Sequence, residues 1–175
     1  LLESFDYPSH GPGMMWEAAA KKVRAQGGKI LQGCELTSLA WNEADKIWTV
    51  SYTSEDGSVN TTSARHVISS APIPQLMDSI APKPTSVSSA KELKYRDFIT
   101  VALIAKANDS FPDNWIYIHD PSVNVGRVQN FASWSPSLVP DPENTCLGLE
   151  YFCFEGDGLW TSSDADLIAM ATREI

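Results

Sequence analysis

The sequence predicts an α+β fold, in which a β-meander is followed by a mainly antiparallel sheet with flanking helices. Two patterns point to this class. Short runs of alternating apolar and polar residues recur between turn residues, and one Ala-rich segment has the features of a long helix. The chain of 175 residues, 43% of them hydrophobic, is long enough to bury a real core.

The first half is predicted to contain one helix and the meander. The helix covers residues 13–26 (GMMWEAAAKKVRAQ), with cations near its end and Gly27-Gly28 as a C-terminal cap. Strands are predicted at 29–32, 34–41, 46–53 and 59–63, with a turn at 55–58. Residues 65–70 (RHVISS) predict a buried strand that leads into Ala71-Pro72-Ile73-Pro74.

The Pro- and Ser-rich segment 81–89 is predicted to link two domains, 1–80 and 90–175. The second domain should contain a short helix at 90–95, a long strand at 98–107, two strands within 114–136, a loop at 136–144 and a strand at 146–154. Ser163-Asp164-Ala165-Asp166 predicts the start of an amphipathic helix. Because the chain opens without methionine and stops within this helix, we expect it to be part of a longer polypeptide.

Charge and cysteine content exclude several classes of function. A net charge of -9 argues against nucleic acid and anionic membrane surfaces as partners. No apolar run approaches the roughly 20 residues that span a bilayer. Cys34, Cys146 and Cys153 have no metal-type spacing, so we expect buried free thiols, no metal site and a cytoplasmic protein.

A glycine-rich turn immediately precedes the first predicted helix, in residues 5–17 (FDYPSHGPGMMWE). Glycine lets the backbone approach a ligand closely and leaves N–H groups pointing at it. On local features alone, the same pattern is typical of a tight turn and a helix cap.

Arg127 stands out because it lies in a largely apolar and aromatic run, residues 114–136. Strand alternation predicts that Arg127, Gln129 and Phe131 share one face. The guanidinium is either a surface group paired with Asp120 or Glu150, or a fork that holds an anion bidentately. Since a carboxylate inside the apolar run 146–154 is costly unless paired, Glu150 is either at an edge or functional.

The order of motifs carries a resemblance to a known family. An aromatic residue and Tyr7-Pro8 are followed by a Gly-x-Gly turn, a helix, Gly27-Gly28-Lys29-Ile30, a meander with Asp56-Gly57, and the run HVISSAP. This order resembles the middle of the FAD-dependent amine oxidase/protoporphyrinogen oxidase-type flavoproteins. That superfamily also contains the UDP-galactopyranose mutases, and the resemblance covers nearly the whole chain.

The resemblance implies FAD as the cofactor of the full-length protein. It assigns 1–80 to part of an FAD-binding domain and 90–175 to a truncated substrate-binding domain. The implied cofactor contacts, mostly through backbone atoms, are Gly11, Gly13, Met14, Leu36, Ser70, Ala71 and Pro72. The family holds FAD chiefly through an N-terminal Gly-x-Gly-x-x-Gly unit, which Gly11-Pro12-Gly13 does not match. We therefore expect that Rossmann unit and a C-terminal closing segment elsewhere in the polypeptide, and no retention of FAD by this chain alone.

The resemblance also implies a set of substrate contacts. In mutase-like members, a tyrosine and an arginine at the spacing of Tyr117 and Arg127 touch the diphosphate of a sugar nucleotide. The implied substrate-binding residues are Tyr117, Arg127, Gln129 and Tyr151, and the catalytic residues stay unassigned. Three functions remain open: hydride transfer from a small-molecule substrate to a flavin, isomerisation of a nucleotide sugar by a mutase-like flavoenzyme, and a non-catalytic binding module.

Overall fold

The computed structural model describes residues 5–107 and 111–175, and the chain divides into two compact units. One unit is Gly28–Lys94, and the other combines Leu1–Gly27, which includes helix α1 (Gly13–Ala25), with Tyr95–Ile175. These units divide after Gly27 and after Lys94, so that α1 is grouped with Tyr95–Ile175, and the predicted link at 81–89 stays a prediction. The assignment of 1–80 and 90–175 to FAD-binding and substrate-binding domains stays a prediction.

The unit Gly28–Lys94 is built on a four-stranded sheet. Its elements are β1 (Glu35–Asn42), β2 (Ile47–Thr53), β3 (Val59–Ala64), α2 (Ile73–Ser79), β4 (Ile80–Ala81) and α3 (Val87–Lys91). The strand order is β3-β2-β1-β4, with antiparallel pairs except for β1 and β4, which are parallel. The predicted meander is therefore confirmed.

Four expectations for this unit are wrong. Residues 29–32 and 65–70 form no strand, and Ile68 is 99% exposed rather than buried. An apolar run becomes a strand only where its backbone groups find a partner, and no described strand pairs with either segment. The short helix α3 lies at Val87–Lys91 instead of 90–95, and Cys34 is exposed rather than buried.

The other unit contains a second four-stranded sheet. Its elements are β5 (Asp97–Lys106), β6 (Trp115–Tyr117), β7 (Arg127–Asn130), α4 (Phe131–Trp134), a 3-10 turn (Pro136–Leu138), β8 (Asn144–Cys153) and α5 (Asp164–Glu174). All strand pairs in the order β5-β8-β7-β6 are antiparallel. The two strands predicted within 114–136 are confirmed. However, the strand alternation stops at Asn130, because Phe131 begins a helical turn.

The hydrophobic core of this unit lies between one face of the second sheet and α5. Strand residues Val128, Leu149 and Tyr151 pack there with Leu167 and Ala171 of the helix. Helix α5 begins as predicted, because the Ser163 hydroxyl accepts a hydrogen bond from the Asp166 N–H at 3.2 Å. Two mainly antiparallel sheets with helices make this an α+β fold.

Within the described ranges, no helix combines the length and apolar character needed to cross a membrane.

Candidate functional site

The second sheet has one face packed against α5 and one face that is largely exposed. Because side chains alternate along strands, the exposed face is formed by every second residue of each strand. We call it the open face; it is formed by Phe98, Thr100, Trp115, Tyr117, Arg127, Gln129, Gly148, Glu150 and Phe152. Four aromatic rings of this face are more than one-third exposed, which is unusual for a packed sheet surface.

A buried carboxylate lies at the centre of the open face. Glu150 is fully buried, and the Arg127 Nε–H donates a hydrogen bond to its Oε2 at 2.6 Å. Arg127 Nη2 forms an ion pair with the same oxygen, and Gln129 Nε2 donates to the other oxygen, Oε1. Strand pairing explains this cluster, because Arg127 lies directly opposite Glu150 and Gln129 is the next residue on the same face. The hydrogen bond to Glu150 raises the pKa of Arg127.

Arg127 is neither a surface residue nor a fully enclosed one. Its side chain is 27% exposed, and its guanidinium carbon lies 5.8 Å from the centre of the Tyr117 ring. Glu150 occupies the guanidinium edge formed by Nε and Nη2. Besides Glu150, the Tyr117 side chain interacts with the guanidinium and also raises the pKa of Arg127. We call the edge formed by Nη1 and the second N–H of Nη2, which does not face Glu150, the end-on edge.

The two partners proposed for Arg127 are thereby distinguished. Arg127 pairs with Glu150, whereas Asp120 accepts hydrogen bonds from the N–H and the hydroxyl of Ser122. Those bonds lower the pKa of Asp120. Glu150 itself lies on β8, between β5 and β7, and not at a sheet edge.

An aromatic cluster borders the charged group. Trp115, which is opposite Gln129, stacks on Trp134 with ring centres 5.2 Å apart and planes 14° from parallel. Trp134 also contacts Tyr7 at 4.9 Å and Phe5 at 5.8 Å between ring centres. This contact was not predicted, because no local pattern connects residues 5–7 with residue 134.

Two glycines allow rings to lie close against the strands. A Cβ built on Gly126 would be 2.6 Å from the Phe152 ring, and one built on Gly148 would be 2.9 Å from the Phe131 ring. Arg96 in turn lies over Phe152, at 5.1 Å from its ring centre. A glycine within a strand pattern is the sequence signal for such an approach.

Tyr151 is not part of the open face. It is fully buried in the core on the α5 side, because adjacent residues in a strand point to opposite faces. Burial raises the pKa of its phenol, and the negative charge of Glu174 adds to this effect. No described residue makes a hydrogen bond of ordinary geometry with its hydroxyl. The structure therefore does not bring Tyr151 together with Tyr117, Arg127 and Gln129.

The residues implied as flavin contacts are divided between the two units. In one unit, Gly11 is buried with φ 91°, whereas Gly13 and Met14 are exposed at the start of α1. In the other unit, all four implied contacts are exposed: Leu36, Ser70, Ala71 and Pro72. A Cβ on Gly13 would meet nothing within 4 Å.

The fit of these positions to a flavin depends on the polar atoms and the enclosure that they provide. Among the described residues, none of them supplies a buried polar atom that lacks a partner. Apart from the buried Gly11, they lie on exposed residues, so we assign them no chemical step. The part of the chain that the structure describes also holds no group of three or more His, Cys, Asp or Glu that could bind a metal ion.

A concave region lies in the unit Gly28–Lys94. This cavity of about 690 Å³ is lined by Trp41, Trp48, Arg65, His66 and three neighbouring residues. The two tryptophan rings are 5.2 Å apart between centres, and Trp41 donates its indole N–H to Glu43 at 2.7 Å. All of its charged side chains lie on exposed residues. The open face is the stronger candidate because its central charge is fully buried and oriented.

The comparisons with known proteins give the following result. No family model matches the sequence, and no curated protein matches it. Two solved structures share the fold of this chain. One is the crystal structure of reduced UDP-galactopyranose mutase, with 18% identity, a TM-score of 0.72, and coverage of 95% of this chain and 35% of the mutase chain. The other is a protein assigned as a protoporphyrinogen oxidase from Exiguobacterium sp. 255-15, with 18% identity and a TM-score of 0.55.

The second match covers 79% of this chain and 30% of the oxidase chain. At this level of identity, the likeness shows a shared fold and nothing finer. The fold is thus one found within a mutase and within a protein assigned as an oxidase. The chain spans about a third of the length of the structures it matches.

Proposed function

We propose that this chain forms the substrate-facing part of a UDP-galactopyranose mutase-like flavoenzyme, and that its open face binds the diphosphate of a nucleotide sugar. One observation carries the proposal. The Arg127 side chain is partly exposed beside the Tyr117 ring, while a buried carboxylate holds its Nε and Nη2. This is the pair of residues that the resemblance implied as diphosphate contacts.

The chemistry of the two side chains suits this ligand. The end-on edge of a guanidinium presents two parallel N–H groups, which match two oxygens of a phosphate. A phenol adds one hydrogen-bond donor. The stacked pair of Trp115 and Trp134 provides a flat apolar surface on the same side of the sheet, against which a ring could lie. The open face thus combines directed donors with an aromatic wall.

The fold of this chain is more similar to that of the mutase than to that of the oxidase. The match to the mutase covers 95% of this chain, against 79% for the oxidase, and its TM-score is higher. Hydride transfer by an amine oxidase-type enzyme is the second candidate, favoured by the exposed apolar rings of Phe98 and Phe152. In that case Arg127 and Glu150 would be a structural pair, and nucleotides would not bind. A non-catalytic binding module would require neither a cofactor nor chemistry.

The proposed cofactor of the whole enzyme is FAD, which when bound would supply the nucleophile of a mutase reaction or accept the hydride of a substrate oxidation. The residues of this chain would bind and orient the substrate. The proposed partners are a small-molecule substrate and the remaining parts of the flavoenzyme, because the matched structures are about three times as long as this chain. We expect the substrate to be held first by its diphosphate, which leaves the sugar free to be positioned for reaction.

Titration of the chain with UDP, followed by calorimetry, tests the proposal. The wild-type chain should bind UDP, and uridine, which lacks the diphosphate, should bind about tenfold more weakly or worse. Arg127→Lys retains the positive charge but loses the bidentate geometry, so it should weaken UDP binding by about tenfold. Lys106→Ala is the matched control, because Lys106 is an exposed cation at the end of β5 that pairs with Glu143; its affinity should be unchanged.

Two results would contradict the nucleotide-sugar proposal. One is a wild-type chain that does not bind UDP. The other is equal affinity for UDP in the wild type and in Arg127→Lys. Either result would leave hydride transfer as the better candidate.

A further inference from the structure

We propose that Glu150 is a positioning residue for Arg127. It holds the guanidinium by Nε and Nη2 and thereby turns the end-on edge toward the open face. The nature of the ligand rests on the function proposed above, whereas the control of orientation rests on the geometry of the cluster alone.

The contacts of Glu150 restrict its own movement first. Both carboxylate oxygens are engaged, Oε2 by Arg127 and Oε1 by Gln129. Glu150 is fully buried, so water does not compete for these oxygens. Because Arg127 and Gln129 lie on β7 and Glu150 on β8, the sheet itself fixes the distance between the groups. The Glu150 carboxylate is therefore held in a single orientation.

Arg127 is restricted in turn. A guanidinium that donates from Nε and Nη2 to one oxygen cannot rotate about its terminal bonds without breaking both contacts. The Tyr117 ring, at 5.8 Å, limits movement on a further side. The end-on edge therefore faces the ligand before any ligand arrives, and little side-chain entropy remains to be lost on binding.

Removing the charge of Glu150 distinguishes a positioning role from a purely electrostatic one, because the two roles change anion affinity in opposite directions. Arg127 and Glu150 together carry no net charge, so their attraction for a diphosphate depends on directed N–H groups. If Glu150 were only a counter-charge, removing its charge would strengthen anion binding. If Glu150 positions Arg127, removing it weakens anion binding although the local charge becomes more positive. The two roles thus predict opposite changes in affinity.

The experiment uses Glu150→Gln in the full chain, with Glu143→Gln as the matched control because Glu143 is an exposed acid paired with Lys106. Two quantities are measured: the Nε–H signal of Arg127 by ¹⁵N NMR without ligand, and the dissociation constant for UDP. In wild type the Nε–H signal should be sharp and slow to exchange with solvent. In Glu150→Gln it should exchange at least about tenfold faster, and UDP should bind about tenfold more weakly. Glu143→Gln should change neither quantity.

The outcomes separate the two proposals. An Arg127 signal that Glu150→Gln leaves unchanged, or UDP affinity that stays equal or increases, overturns the positioning role. A wild type that does not bind UDP overturns the nucleotide-sugar function, and the NMR signal alone then decides the positioning role. If Glu150→Gln does not fold, Gln129→Leu releases only Oε1. That variant should give a smaller change of the same sign in the NMR signal, and no change would overturn the inference.

Discussion

The pairing of Arg127 with Glu150 makes a strong prediction about stability. Replacing Arg127 with Met leaves a fully buried carboxylate without its cation, which typically costs 3–5 kcal/mol of folding free energy. Arg127 is partly exposed and Gln129 still donates to Glu150, so we expect a loss near the lower limit, about 3 kcal/mol. The double variant Arg127→Met/Glu150→Met removes both charges and should return to within about 1 kcal/mol of wild type.

Hydrogen exchange of the β8 amides is the appropriate assay, because the chain has two units that can unfold separately. The amides of Leu149 and Tyr151 report the free energy of unfolding of the second sheet, since both residues lie in its core. Lys106→Met removes an exposed ion pair and serves as the control, with little expected effect. The reasoning is refuted if Arg127→Met lowers the free energy of unfolding no more than this control does. It is also refuted if the double variant is as unstable as Arg127→Met alone.

Two further predictions concern buried groups. Tyr151→Phe should be neutral or stabilising by about 1 kcal/mol at pH 7, because it removes a buried hydroxyl without a partner among the described residues. The pKa of Tyr151 is raised in the folded state, so its contribution to stability is complete below the unfolded value of about 10 and is lost as the pH rises above it. The variant should therefore show a smaller fall in urea midpoint between pH 7 and 10.5, and an equal fall would contradict this. Thiol labelling should modify the exposed Cys34 first and Cys153 last, because Cys153 is buried and burial raises its pKa. Rapid labelling of Cys153 in the folded protein would contradict its burial.

The strands were the most predictable part of the fold. Alternation identified β2, β3 and β5 to within a few residues, because one side of each strand is more buried than the other. The run 65–70 was mistaken for a strand because its composition carries no information about whether a partner strand is available. Helix α2 was not predicted, although its prolines Pro72 and Pro74 lie at its start, where proline is well tolerated.

The site was predictable only where it depends on neighbouring positions along a strand. Tyr117, Arg127 and Gln129 share a face as alternation and pairing require. The same rule would have excluded Tyr151, since it is adjacent to Glu150 and must point to the opposite face. The engagement of Glu150 by Arg127 depends on the register between β7 and β8. That register is a long-range property, which local patterns do not determine.

The exposure of helix α1 affects the rigidity of the glycine turn that precedes it. None of its residues is buried in the described part of the chain, and Met14, Met15 and Trp16 are all exposed. A helix of 13 residues that buries none of its side chains gains little stability from packing and is only marginally formed in water. Any surface that covers those three side chains would shift the helix–coil equilibrium toward the ordered state. The backbone of Gly11 to Gly13 would then become rigid together with the helix, so that cofactor contact and helix formation would be thermodynamically linked.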